Sequence, residues 1–152
     1  TFVNDDEIED FMTAVKEGQI EAVERILAKS PGDIDSTTKD EWTALHFAAG
    51  KGHLQIIAIL LDKGANIEAK NKYEWTPLFW AASREQSKSV HLLLQRGANI
   101  EAVNNTKSTP LHAAAQKGHM RTLQALVERK AQLEVRDNNN MTPLQLAASE
   151  GK

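Results

Sequence analysis

A Thr-Pro-Leu-His-like tetrapeptide begins at Thr43, Thr76, Thr109 and Thr142, so the same signature returns every 33 residues. A fixed period of this length, with short helical patterns inside each unit, marks a repeat array. One unit cannot bury its own apolar face, and neighbours stack to make the core. The 152 residues, 41% of them apolar, suffice for one domain-sized core. The period makes that core linear, and function then falls to the surface of the stack.

Residues 38–70 give the pattern of one unit. Thr43 suits a helix N-cap, Ala44 (Pro in the other three copies) fills the first helical position, and Leu45, Ala48 and Ala49 make a small apolar face. The Gly52-His53 pair breaks this first helix. Leu54, Ile57, Leu60 and Leu61 then recur at helical spacing until Gly64, which suits a left-handed cap. The polar stretch from Lys70 to Glu74 is long enough for a hairpin-like finger before the next Thr-Pro-Leu. The expected order is helix, turn, helix, finger, repeated over 38–70, 71–103 and 104–136, with a truncated copy over 137–152. Residues 1–37 carry Ala14, Val15, Gly18, Ile20, Val23, Ile26, Leu27 and Ile34 on the same pattern without the tetrapeptide, and are predicted to be a terminal cap. The fold class expected is an all-α repeat solenoid of stacked helix-turn-helix units with finger-like β-hairpin loops, forming a single domain.

Thr-x-Leu-His-x-Ala-Ala-x-x-Gly-His, followed by Leu-Leu-x-x-Gly-Ala, resembles the ankyrin repeat, and the resemblance covers nearly the whole chain. It implies a curved stack in which fingers and first helices form a concave, protein-binding groove. The Asn that intracellular hydroxylases modify in many such repeats is replaced by Glu68, Glu101 and Glu134, so little hydroxylation is expected.

Departures from the pattern fall at defined positions. Glu85-Gln86 stands where the neighbouring units have Gly-His, and Lys130 replaces a capping glycine. The finger position that is usually Gly in the family holds Glu41, Glu74, Lys107 and Asn140. This means either backbone strain or a different turn. The chain stops soon after Leu144, Ala147 and Ala148, leaving no second helix to cover Leu123, Leu126 and Val127. A monomeric segment of a longer protein is therefore expected, and the residues after Lys152 would identify the rest.

Catalytic chemistry finds no support. His46, His112, His53 and His119 recur with the architecture and suit hydrogen bonds between neighbouring loops. No His pair at i, i+4 comes with a third ligand, so neither metal nor cofactor is expected. Gly50-Lys51-Gly52 lacks the spacing and the Ser or Thr of a phosphate loop. Zero cysteines rule out disulfides and thiolate metal sites, and suit an intracellular setting, cytoplasmic or nuclear. The longest apolar run, 56–61, is too short to span a bilayer. A net charge of -3 gives no pull toward nucleic acid. Asp5, Asp6, Glu7, Glu9 and Asp10 read as a solvated helix start.

The partner-binding residues expected are Trp42, Phe47, Lys51, Lys72, Tyr73, Trp75, Trp80, Arg84 and Lys117. Family resemblance puts Trp42, Lys72, Tyr73 and Trp75 on the first two fingers, and aromatic residues dominate interface energetics. Trp42 and Trp75 equally fit a role in stacking finger on finger. Lys51, Arg84 and Lys117 end successive first helices and form a basic ladder, suited to an acidic or phosphorylated peptide or simply to solubility. Trp42, Phe47, Trp75 and Trp80 with Glu41 or Glu74 suggest a methyl-ammonium cage. The Trp-Thr-Pro-x-x-Trp run is similar to the methyl-lysine-binding units of certain histone lysine methyltransferases, although Ser83 and Ala113 replace an acidic residue and a third Trp. The function expected is a protein-interaction module, not an enzyme. Its rivals are the targeting arm of a larger enzyme and a pure scaffold.

Overall fold

The structure, a computed structural model, describes residue 2 and residues 4–151. The helices are α1 (Asp5–Lys16), α2 (Ile20–Lys29), α3 (Ala44–Lys51), α4 (Leu54–Asp62), α5 (Pro77–Ser83), α6 (Ser87–Gln95), α7 (Pro110–Lys117), α8 (Met120–Glu128) and α9 (Pro143–Ser149), with a 3-10 turn at Pro31–Asp33. The odd-numbered helices pack against one another in one row, and the even-numbered helices form a second row, each also packed against the odd-numbered helix that precedes it. No helix of the described residues is long and apolar enough to cross a membrane.

Small residues set the spacing of the first row. Ala48, Ala49, Ala81, Ala82, Ala114 and Ala115 are all buried, so backbones approach closely where larger side chains would hold them apart. Between the rows, Leu45, Ile57, Leu60, Leu78, Val90, Leu93, Leu111 and Leu126 fill the core. The cap unit adds Phe11 and Met12, both buried, at the positions that Leu45 and His46 hold in the next unit. Neither stood out in the sequence, because the unit lacks the tetrapeptide that sets the register.

The four threonines start their helices as their sequence context predicts. Each hydroxyl accepts from the backbone N–H three residues on, and His46, His112 and Gln145 close reciprocal capping boxes. His46 and His112 also reach the next finger. Thr43 N–H donates to His46 Nδ1 at 3.1 Å, so the ring proton lies on Nε2, which donates to the Trp75 carbonyl at 2.7 Å. His112 repeats this toward the Met141 carbonyl at 2.9 Å. His53 and His119 bridge to the Lys16 and Ser83 carbonyls at the helix breaks. All four histidines thus join one unit to the next.

A second ladder runs through carboxylates. Asp35 accepts from Asn66 N–H, Glu68 from Asn99 N–H and Glu101 from Gln132 N–H. Each acid therefore ties its loop to the following loop. Arg96, at the end of α6, pairs with Asp62 at 2.9 Å, so it bridges neighbouring units besides lying near a helix C-terminus.

The fingers are hairpin turns, and no strand occurs among the described residues. Thr38, Asn71, Asn104 and Asp137 each donate N–H to the carbonyl four residues on, and single bonds such as Lys72 N–H to the Asp40 carbonyl join finger to finger. Isolated bonds of this kind do not make a ladder. Glu41, Glu74, Lys107 and Asn140 adopt φ of 67°, 60°, 59° and 61°, and Glu85 and Lys130 φ of 60° and 65°. The expected backbone position is kept without the expected residue, so a different turn is not the explanation.

The end of the stack differs in part from expectation. Leu126 is fully buried, whereas Val127 and Leu133 are 40% and 53% exposed. α8 presses Leu126 inward against α6 and α7, leaving only the outer flank bare. A 410 Å³ apolar cavity lined by Leu111, Leu123, Val127 and Leu144 lies there. One repeat earlier, the corresponding Leu78, Val90 and Leu94 are buried. Lys152 lies outside the described residues.

Candidate aromatic and cationic site

The first two fingers and the first helices behind them converge on one aromatic cluster. Trp42 ends the first finger and Phe47 lies on α3; their rings stack at 5.4 Å and 15°. Trp75 ends the second finger and Trp80 lies on α5; these indoles stack at 5.3 Å and 7°. The two pairs meet edge to face, Trp42 lying 4.8 Å from Trp80 and 5.9 Å from Trp75. Tyr73 leans on Trp75 at 4.9 Å and is 38% exposed. Phe79 also stacks on Trp75, at 5.8 Å and 18°, and occupies the capping-box position that His46 and His112 hold in their units.

These contacts join both roles open to Trp42 and Trp75. The rings stack finger on finger, and Trp42, Phe47, Trp75 and Trp80 nevertheless remain half-exposed. Gly50 makes the closest packing possible. It sits on α3 beneath the Trp80 indole, where any side chain would collide with the ring.

A cavity of 400 Å³ opens beside the cluster, lined by Trp42, Phe47, Gly50, Trp80, Lys16, Lys51 and Arg84. Five of the residues singled out in the sequence meet here: Trp42, Phe47, Lys51, Trp80 and Arg84. Trp75 does not line it but contacts Trp42 and Trp80, and Tyr73 reaches only Trp75. Lys72 points elsewhere, pairing with Asp40 of the preceding finger at 3.8 Å, and Lys117 ends α7 outside the cavity.

Lys16 is the residue that sequence reading missed. Its ammonium lies 4.3 Å from the centre of the Phe47 ring. It ends α1, in the cap unit, and aligning Gly18 with Gly52 would have placed it level with Gly50. Arg84 mirrors it, its guanidinium 5.6 Å from the Trp80 ring. Both cations are held on ring faces.

The four aromatics do not form the open box expected of a methyl-ammonium cage. Trp42 and Phe47 stack on each other, as do Trp75 and Trp80, so the rings do not stand apart as walls of a box. The outer faces of Phe47 and Trp80 already carry Lys16 and Arg84. Glu41 and Glu74 lie exposed on the fingers and do not line the cavity. A further cation would enter a site walled by three others, against Coulomb repulsion.

No group of three His, Cys, Asp or Glu side chains that could hold a metal occurs among the described residues. His46, whose ordinary value is 6.5, is pushed downward by burial, an effect only partly countered by backbone hydrogen bonding at Trp75 and Ala69. It is held neutral in the capping box.

The family model described as ankyrin repeats (three copies) matches residues 11–104 and 97–152. Among curated proteins, a 56-residue stretch is 39% identical to the NAD-capped RNA hydrolase NUDT12 of Homo sapiens, Pongo abelii and Macaca fascicularis. The stretch is 37% of this chain and spans only 12% of each relative's length.

Proposed function

The chain belongs to the ankyrin-repeat family, and from that premise we propose that it takes a partner peptide or protein surface on the face formed by its fingers and first helices. The observation that carries this reading is the half-exposed cluster of Trp42, Phe47, Trp75 and Trp80 with Tyr73 at its edge. Rigid aromatic rings supply much of the energy of protein interfaces at little entropic cost. Binding energy is therefore assigned to the N-terminal half of the face, and Lys51 and Arg84 select negative charge in the partner. Lys117 contributes at most at the margin of the contact.

The test is affinity capture by the wild type and by a Tyr73→Ala/Arg84→Glu variant, with circular dichroism establishing that both are folded. Tyr73 and Arg84 are exposed, so the pair alters the face and not the core. Partners retained by the wild type and lost by the variant are expected. Equal capture by both would remove the assignment of this face.

A second reading draws on the hydrolase relatives: the array acts as the substrate-targeting arm of a larger enzyme. Its support is the 39% identity over 56 residues to proteins named as enzymes. The sequence of the parent transcript decides it, since a catalytic domain encoded in the same chain is required.

A further inference from the structure

We infer that the cavity between α1, α3 and α5 is a receptor for an aryl phosphate, the side chain of a phosphotyrosine on the partner peptide. This rests on the interaction-module reading and names the group that the face selects. Three cations, Lys16, Lys51 and Arg84, line the cavity, and no carboxylate does. None of the three makes an ion pair among the described residues. Lys16 and Arg84 instead lie on the rings of Phe47 and Trp80 at 4.3 Å and 5.6 Å. Such contacts are weak at exposed sites, about 0.5–1 kcal/mol each. Charge-assisted hydrogen bonds to phosphate are stronger, and a phosphate carries close to two negative charges at neutral pH.

The exchange is favourable in both halves. The phosphate draws Lys16 and Arg84 off the rings, with Lys51 as third donor, and a ligand ring takes the faces they leave. Gly50 lets the Trp80 indole lie close on α3 as one wall of the cavity. A carboxylate on Asp or Glu satisfies the cations and leaves the Trp42, Phe47 and Trp80 surfaces bare. Phosphoserine does the same. The aromatic ring of phosphotyrosine fills that apolar wall while its phosphate reaches the rim. A nucleotide would also offer a ring and a phosphate, and adenosine 5′-monophosphate among the probes below separates it from an aryl phosphate.

All three tryptophans of the chain belong to the cluster, so their indole N–H signals in a 15N-labelled spectrum report on this site alone. The probes are phenyl phosphate, phenol, inorganic phosphate and adenosine 5′-monophosphate, titrated into the whole chain. Phenyl phosphate is expected to shift the Trp80 signal saturably, with affinity about tenfold above phenol and inorganic phosphate, each tenfold being about 1.4 kcal/mol. Lys16→Ala and Arg84→Ala should each weaken it severalfold while leaving the signals dispersed, and Arg129→Ala, outside the cavity, should not. Equal affinity for phenol would make the site merely apolar and overturn the proposal. So would tighter binding of the nucleotide, a response unchanged in both cavity variants, or no saturable response to phenyl phosphate. Each of these leaves the capture experiment to decide separately whether the face binds protein.

Discussion

Gly50 and Trp80 are a fitted pair across two units: a Cβ built on Gly50 would fall 2.5 Å from Trp80 Cδ1, and closer still to Nε1. The indole covers the one helical position on α3 that has no side chain. Through this contact the second unit's aromatic reaches back over the first and closes one wall of the cavity.

Gly50→Ala should therefore destabilise the protein, although Gly to Ala inside a helix ordinarily gains about 1 kcal/mol. Overpacking costs about 1–3 kcal/mol and outweighs that gain. The second change, Trp80→Ala, removes the obstruction, and the alanine at position 50 then restores its helical benefit. Urea unfolding of both single variants and the double should show a coupling of about 1–3 kcal/mol. Additive effects would mean that Trp80 swings clear without cost.

His46 links stability to pH. Its Nδ1 accepts the Thr43 N–H and its ring is buried, so protonation would set a second N–H against that donor. Burial depresses its folded value below the ordinary 6.5. With the folded value below the unfolded one, the unfolded chain binds the proton more readily. The stability is fully present above 6.5 and is lost as pH falls from there toward the folded value. His46→Gln should remove this component while keeping the cap, since Gln145 closes the same box with Thr142 at 2.9 Å. Urea midpoints at several pH values check it: the wild type should lose stability on acidification through this range more steeply than the variant.

Much of this architecture was legible because each unit repeats the same demand. The Thr caps, the buried Ala pairs and the bridging histidines follow from local chemistry that a single unit displays. The cavity was legible only in halves. Trp42, Phe47, Lys51, Trp80 and Arg84 stood out by type and register, whereas Lys16 belongs to a unit whose register the missing tetrapeptide hid. The stacking of the four aromatics, which a methyl-ammonium cage would not have, was hidden for a different reason. Spacing shows that rings are near one another, but whether they stack or stand apart depends on how adjacent units settle. Ser83 opposite Ala113, where Gly50 lies opposite Trp80, is the same trade in size, visible once both units are aligned.

Thr122 is fully buried on α8, and its hydroxyl has no hydrogen-bond partner among the described residues. Ile56 occupies the equivalent place on α4 and is likewise buried. An unpaired buried hydroxyl costs about 1–3 kcal/mol, and valine keeps the shape while removing it. Thr122→Val should raise the urea midpoint by an amount equivalent to about 1 kcal/mol, with an unchanged denaturant slope. A lower midpoint would mean that the hydroxyl is satisfied in solution.

The fingers hold the last reserve of stability. Glu41, Glu74 and Lys107 adopt φ near 60°, where a side chain's Cβ crowds the backbone and glycine does not. Glu41→Gly, Glu74→Gly and Lys107→Gly should each relieve about 1 kcal/mol of left-handed strain, less the entropy that a freer unfolded chain returns. Asn140 sits at the same angle but belongs to a residue type that tolerates it, so Asn140→Gly should change little. The four urea midpoints, compared as a set, separate backbone strain from lost side-chain contacts. A gain at Asn140 matching the other three would show that the conformation itself, and not the residue occupying it, limits stability. Glu74 adds a functional comparison, because its finger also carries Tyr73 and Trp75. If strain serves only to fix the turn, Glu74→Gly should leave partner capture intact while raising stability; a loss of capture with the fold preserved would tie the strained turn to presentation of the aromatic face.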